Sequence, residues 1–234
     1  MSSVDQKPEI KHQETVVIPI ESSYAEERHI SQHSSPHPHT GSAALAKLNP
    51  APLGFGAFAL CSFVLGLYNT GLITNLPQVA TGVAFGYGAM GQFVCGICEL
   101  IIGNMFAATT MLTYSGFFFT FGIMMVPGSG FLSAAVASGG EAAVAQCIGL
   151  VEIGYAIAAF LFLLGALRQP ILIRLVLLQV FLAFLFGGIG GLAESSKMNM
   201  ASGWVSFTLS LTAWYVMCAL LFTPENTMIK LPFF

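Results

Sequence analysis

The apolar part of this chain holds no histidine and very few ionisable side chains, so the polar residues it keeps there are the ones that could do chemistry. Gln92 and Glu99 are seven residues apart, two helical turns, and share a face with Cys95 and nearly with Gly88. Asn104 follows, then Thr109, Thr110, Thr113, Tyr114 and Ser115, and Glu152 stands alone further on. In hydrocarbon such groups are costly, so they face a bundle interior or a wet path. Amide and phenol donors at that spacing can replace the water around a small acid. Asn104 can cap a helix whose N-terminus offers free N–H groups and a partial positive charge, and Asn49-Pro50 opens a second such start on the same expected side. Helix starts of this kind attract carboxylates. Simpler roles stand beside these: Gln92 can hold helices together, Glu99 can pair with a backbone group near the interface, and threonines within a span can bond back to the preceding turn. Thr113 and Tyr114 rise above that last reading, and Glu152 has no partner that the sequence can name.

Several function classes are excluded by what is missing. No Ser/His/Asp set, Walker loop or Cys/His zinc spacing occurs, so no enzyme activity, cofactor or metal centre is expected. No basic cluster is present to neutralise phosphates, so nucleic acid is not an expected partner. The five cysteines (61, 95, 98, 147 and 218) all lie in apolar segments, and Cys95-x-x-Cys98 reads as a pair of small packing residues.

The elements that must position these side chains are membrane spans. Of 234 residues, 55% are hydrophobic and 8% charged, with a mean hydropathy of +0.77, whereas soluble domains carry about 25% charged residues. Apolar runs of about 20 residues, enough to cross roughly 30 Å of hydrocarbon, occur at 53–72, 79–102, 105–126, 143–167, 171–193 and 203–222. The connections carry turn chemistry: Asn75-Leu76-Pro77, Gly103-Asn104, Pro127 to Gly130, Gln169-Pro170, and Ser195 to Ser202. The expected fold is an all-α membrane protein with six transmembrane helices over 48–223. A polar tail, 1–47, is expected to be disordered and a short tail, 224–234, follows the last span. The first tail holds all five histidines; His37-Pro38-His39 could bind a metal weakly, although solvated side chains are the commoner case. No N-terminal apolar stretch resembles a cleavable signal peptide, so the first span is expected to act as the uncleaved insertion signal. Six spans put both termini on one side. Lys7, Lys11, Arg28, Lys47, Arg168, Arg174 and Lys230 fall there against Lys197 on the other, so both ends are expected to be cytoplasmic. Gly82-x-x-x-Gly86 and Gly187-x-x-x-Gly191 mark expected close helix contacts, within or between subunits.

Four short elements resemble one family in order. Asn49-Pro50-Ala51-Pro52-Leu53-Gly54 closely resembles the signature of the acetate uptake transporters, also called the succinate–acetate permeases. Tyr87-Gly88-Ala89 with Gln92 and Glu99 is similar to the family's tyrosine-glycine-glycine, glutamine and glutamate element. Asn104-Met105-Phe106 resembles its asparagine-threonine-phenylalanine, and Thr113-Tyr114-Ser115 its serine-tyrosine-glycine. The match covers 49–234, and the long polar tail with Glu225-Asn226-Thr227 looks like the fungal branch. Ala89, Met105, Thr113 and Ser115 depart from the commoner residues, and the tail lacks a short aromatic-basic segment associated with many fungal members.

The resemblance implies a homo-hexamer of six-helix protomers in lipid, each with its own path for acetate and similar small carboxylates. It implies an apolar gate of Phe58, Tyr114 and Val180, the valine replacing a leucine, so that the gate is wider or is closed by Gln179 or Phe181. Substrate contacts are expected from Asn49, Gln92, Asn104, Thr113 and Tyr114, and proton coupling from Glu99. Proton-coupled uptake across the plasma membrane is the leading expectation, ahead of an internal membrane. The alternatives are a weak-acid channel without obligatory coupling, ammonium or ammonia passage, and a non-transporting membrane sensor or scaffold.

Overall fold

The helices of the computed structural model end where Gly, Pro and Asn break the apolar runs. It describes residues 48–234 apart from 75 and 77. The expectations for the tail 1–47, its histidines and Lys47 included, lie outside the described residues.

The first helix, α1, spans Ala51–Thr70 and ends at Gly71, whose φ of 71° lets the chain reverse without a β-carbon penalty. Its start differs from the expected one. Pro50, not Asn49, occupies the N-cap position, no side chain caps the helix, and Pro52 lies in the first turn, where no N–H is needed. Asn49 is exposed. The second rod, α2, covers Gln78–Ile101, and its middle, Ala84–Ala89, is a π-helical segment. Such a segment leaves carbonyls without their usual intrahelical partners. Neighbouring helices supply the donors: Cys61 Sγ donates to Val83 O at 3.2 Å and Ser115 Oγ to Ala89 O at 2.8 Å. Two of the departures from the family pattern, Ala89 and Ser115, therefore meet in a single hydrogen bond.

Helix α3, Met105–Met125, is capped as expected, Asn104 Oδ1 accepting from the Ala107 N–H at 3.3 Å. Helix α4, Phe131–Gly165, is interrupted at Gly139 and Gly140, the latter at φ 71° and ψ −156°, a conformation open to glycine. Straight, 35 residues would reach about 50 Å, beyond a hydrocarbon core of roughly 30 Å. The break separates the expected span from an added arm, 131–138, that lay outside it. Helices α5, Ile171–Leu192, and α6, Ser196–Leu221, complete the set. The stretch 195–202, read as a connection, is instead the first turns of α6; Lys197 and Asn199 disguise it in a hydropathy reading, while Asn199 packs against Gly190.

Each helix packs on its predecessor and α6 closes back onto α1, so the six form a ring. Backbone approach at small residues holds the ring together, as expected where lipid offers no hydrophobic drive between helices. A β-carbon on Gly66 would stand 2.9 Å from Gly203 O across the α1–α6 contact, and one on Gly149 would stand 2.9 Å from Gly188 O across α4–α5. Gly187 and Gly191 serve the same α4–α5 contact, Gly187 receiving the Glu152 carboxyl and Gly191 the backbone of Ala145 and Gly149. The other motif behaves differently: no described residue lies within 4 Å of a β-carbon on Gly82 or Gly86. The interior is aromatic, centred on Phe58, Tyr114, Phe117, Phe118 and Phe184, while Leu150, Ile157 and Leu161 of α4 face outward.

Candidate functional site

Because successive helices alternate direction, the first turns of α1, α3 and α5 meet the last turns of α2 and α6 at one end of the ring. A cavity of about 240 Å³ opens there, well above the ~10–15 Å³ that one water needs. Its outer wall is polar. Asn104 Nδ2 donates to Glu99 Oε2 at 2.8 Å while Asn104 Oδ1 caps α3, so the side chain that was expected to hold a substrate carboxylate already holds the protein's own. Glu99 is 3% exposed and faces the same cavity. No lysine or arginine occurs among the described residues lining it.

Deeper in, Gln92 and Tyr114 line the cavity at 1% and 3% exposure. Gln92 Nε2 points at the Met111 sulfur, 3.7 Å away, a weak acceptor. Gln92 Oε1 and the Tyr114 hydroxyl have no hydrogen-bond partner among the described residues. Buried polar atoms are nearly always paired; Gln78, Thr81, Arg174 and Gln179 also carry unpartnered atoms among the described residues, but only those of Gln92 and Tyr114 belong to residues that line the cavity.

Phe58, Tyr114 and Val180, expected as the gate, all border this inner end and are all buried. The Phe58 and Tyr114 rings lie 5.8 Å apart. One turn further along their helices the lumen is filled by rings, Phe117 against Phe184 at 4.6 Å and against Tyr155 at 5.1 Å. Gln179 and Phe181 do not close the gate in place of the missing leucine: Gln179 reaches Thr208 at 3.4 Å and Phe181 pairs with Phe160 at 5.3 Å, both off the cavity.

Two expected contacts fall elsewhere. Asn49 does not border the cavity, and neither does Thr113. Thr110 takes that place, being four residues before Tyr114 and so on its face of the helix, whereas Thr113 is turned about 100° away. The Thr110 hydroxyl donates to Phe106 O at 2.8 Å. The remaining expected residues, Gln92, Glu99, Asn104, Phe58, Tyr114 and Val180, share one wall-to-wall space. Sequence reasoning missed Met111, which orients Gln92, and Phe233, which reaches the mouth from the C-terminal segment. Tyr215 holds that segment by donating to Pro232 O at 2.9 Å. The apolar run Leu231-Pro232-Phe233-Phe234 was its only trace in the sequence. Cys95, on the Gln92 face, packs against Gly54, and no cluster of His, Cys, Asp or Glu able to hold a metal occurs among the described residues.

A ring of six membrane-length helices around a cavity that opens at one end defines a multi-pass membrane protein with an internal cavity. Residues 34–234 match the GPR1/FUN34/yaaH family, and the chain belongs to it. It is 34% identical to Acetate permease A of Emericella nidulans over 79% of this chain and 65% of that protein. It is 30% identical to Ammonia transport outward protein 2 of Saccharomyces cerevisiae, over 77% of this chain and 64% of that one. To the Succinate-acetate/proton symporter SatP of Escherichia coli it is 25% identical, over 72% and 85%. The chain thus spans just under two thirds of the length of these fungal relatives. The bacterial acetate channel SatP has a structure that superposes with a TM-score of 0.65 at 23% identity, over 74% of this chain and 92% of that one, a likeness of fold.

Proposed function

We propose that this chain carries acetate and similar small carboxylic acids through the lumen of each protomer, with a proton accompanying the acid. The observation that carries this reading is the pair of orphaned polar atoms, on Gln92 and Tyr114, immediately outside the apolar neck of Phe58, Tyr114 and Val180. A bare carboxylate entering that neck would lose hydration worth of order 20 kcal/mol in the idealised limit. Among the described residues no cationic side chain lines the cavity to offset it. Neutralising the acid with a proton removes most of that cost. The names of the relatives agree in part: one is an acetate permease and one a succinate-acetate/proton symporter.

Glu99 is the residue we assign to proton exchange. Its carboxylate borders the cavity and holds Asn104 at 2.8 Å, so a proton arriving there loosens the latch and frees the Asn104 amide for an incoming acid. Glu99→Gln preserves an acceptor for Asn104 but cannot exchange a proton. Proteoliposomes of this variant are expected to lose acetate accumulation driven by a pH gradient while still equilibrating acetate. Full accumulation would remove Glu99 from the coupling step.

Two further readings have an observation behind them. The solved relative is a bacterial acetate channel, and a channel equilibrates labelled acetate without concentrating it. One relative is named for outward ammonia transport; methylammonium flux that exceeds acetate flux in the same vesicles would favour that cargo. A homo-hexamer and a plasma-membrane location belong to the same proposal, tested by mass photometry of the detergent-solubilised protein and by imaging of the tagged full chain.

Phe233 stands at the mouth and is 38% exposed. Phe233→Ala is expected to raise initial acetate uptake by about two- to fivefold, the rate equivalent of under about 1 kcal/mol. Unchanged uptake would mean that the mouth does not limit entry.

A further inference from the structure

The unpartnered atoms of the inner cavity differ in kind, and the difference restricts what can bind. Gln92 Oε1 can only accept a hydrogen bond, so its missing partner must be a donor. The Tyr114 hydroxyl, equally without a partner, has its proton free to donate. An ionised carboxylate has only acceptors; it satisfies Tyr114 but sets its lone pairs against Gln92 Oε1. Turning the Gln92 amide over would correct that clash at the cost of placing Oε1 on the Met111 sulfur, where Nε2 now sits at 3.7 Å. A sulfur is an acceptor, so the flipped amide would lose its contact there.

We infer that the Gln92–Tyr114 wall recognises a neutral planar ligand carrying one donor and one acceptor on the same carbon, so that small primary amides are ligands and cargo alongside undissociated acids. In an amide the N–H donates to Gln92 Oε1 and the carbonyl accepts from Tyr114. An undissociated acid does the same with its O–H and C=O. Both fit a wall that holds no cation among the described residues, which favours neutral over anionic solutes. The apolar neck beyond suits the single methyl group of acetamide. This inference rests on the carboxylic-acid reading, since it concerns the same cavity.

The test uses the full chain in proteoliposomes, with labelled acetamide and labelled acetate measured in parallel against protein-free vesicles. Acetamide flux well above the protein-free level, and acetamide competing with acetate for entry, are the expected results. Gln92→Met keeps length and removes the acceptor. It is expected to cut acetamide flux about tenfold, as for a buried polar group deprived of its partner, with the thermal stabilisation by acetamide also lost. If acetate moves and acetamide neither moves nor competes, the amide inference is overturned and the acid reading stands. If neither moves, the acid reading fails first. Acetamide flux unaffected by Gln92→Met in a folded variant also overturns the inference, placing only water on Gln92. Competition in the unmodified protein decides the matter should the variant not fold.

Discussion

Gly66→Leu is expected to part α1 from α6 and lower the thermal midpoint of the purified protein by roughly 6–12 °C. A β-carbon at this position would stand 2.7 Å from the Phe207 nitrogen and 2.9 Å from Gly203 O. Both are backbone atoms of a helix, which cannot rotate aside as a side chain can. Overpacking costs about 1–3 kcal/mol, the upper end where backbone must move, and about 1 kcal/mol shifts the midpoint by roughly 2–4 °C in a chain of this size, so about 3 kcal/mol gives that range. The closing contact of the ring would be lost, so uptake should fall along with stability. Gly82→Leu is the matched control, since a β-carbon there meets no described residue within 4 Å; its midpoint should stay within about 2 °C of the unmodified protein, as for most substitutions away from packed contacts. Equal damage at both sites, measured by heating the detergent-solubilised proteins, would show that Gly82 packs against a second copy rather than lipid.

The largest functional effect is expected at Val180. This side chain is 1% exposed and borders the inner cavity with Phe58 and Tyr114. Val180→Phe fills the neck with a ring. If the added bulk raises the passage barrier by about 1–3 kcal/mol, the range for overpacked sites, acetate uptake falls by roughly 5- to 150-fold. Val180→Ala should act in the opposite sense, admitting acids with longer chains as well as raising acetate flux. Stopped-flow uptake into proteoliposomes measures both, with the size-exclusion profile as a check on folding. A folded Val180→Phe protein with undiminished uptake would mean that solute does not pass this neck at all.

Much of the architecture could be read before any coordinates, because hydrocarbon imposes a length and a polarity that the sequence displays directly. All six spans were visible as apolar runs. The errors fell where helix and membrane do not coincide. The first turns of α6 carry Lys197 and Asn199, and the arm 131–138 precedes a glycine break, so a hydropathy reading placed both outside the spans. The π segment at Ala84–Ala89 left no periodic trace, since one turn of altered pitch hardly changes which residues are apolar. At the site, spacing on a single helix put Gln92 with Glu99 and would have put Thr110 with Tyr114. Thr113 was preferred for its neighbour in sequence, and neighbours in sequence diverge by about 100° on a helix. Residue type alone makes Asn49 a cap, whereas the chain enters α1 through Pro50 and leaves Asn49 exposed.

From its sequence alone this protein was bound to be a six-span membrane protein with a handful of inward polar groups, because burying backbone and charge in lipid is too costly for other arrangements. The tertiary structure alone decided which of those groups are satisfied and which are left waiting. Glu99 and Asn104 are five residues apart and found each other, but the orphaned oxygens of Gln92 and Tyr114 belong to two helices and line one cavity that residues of α1 and α5 also border. Whether a buried atom has a partner depends on helices far away along the chain, and no local pattern carries that information.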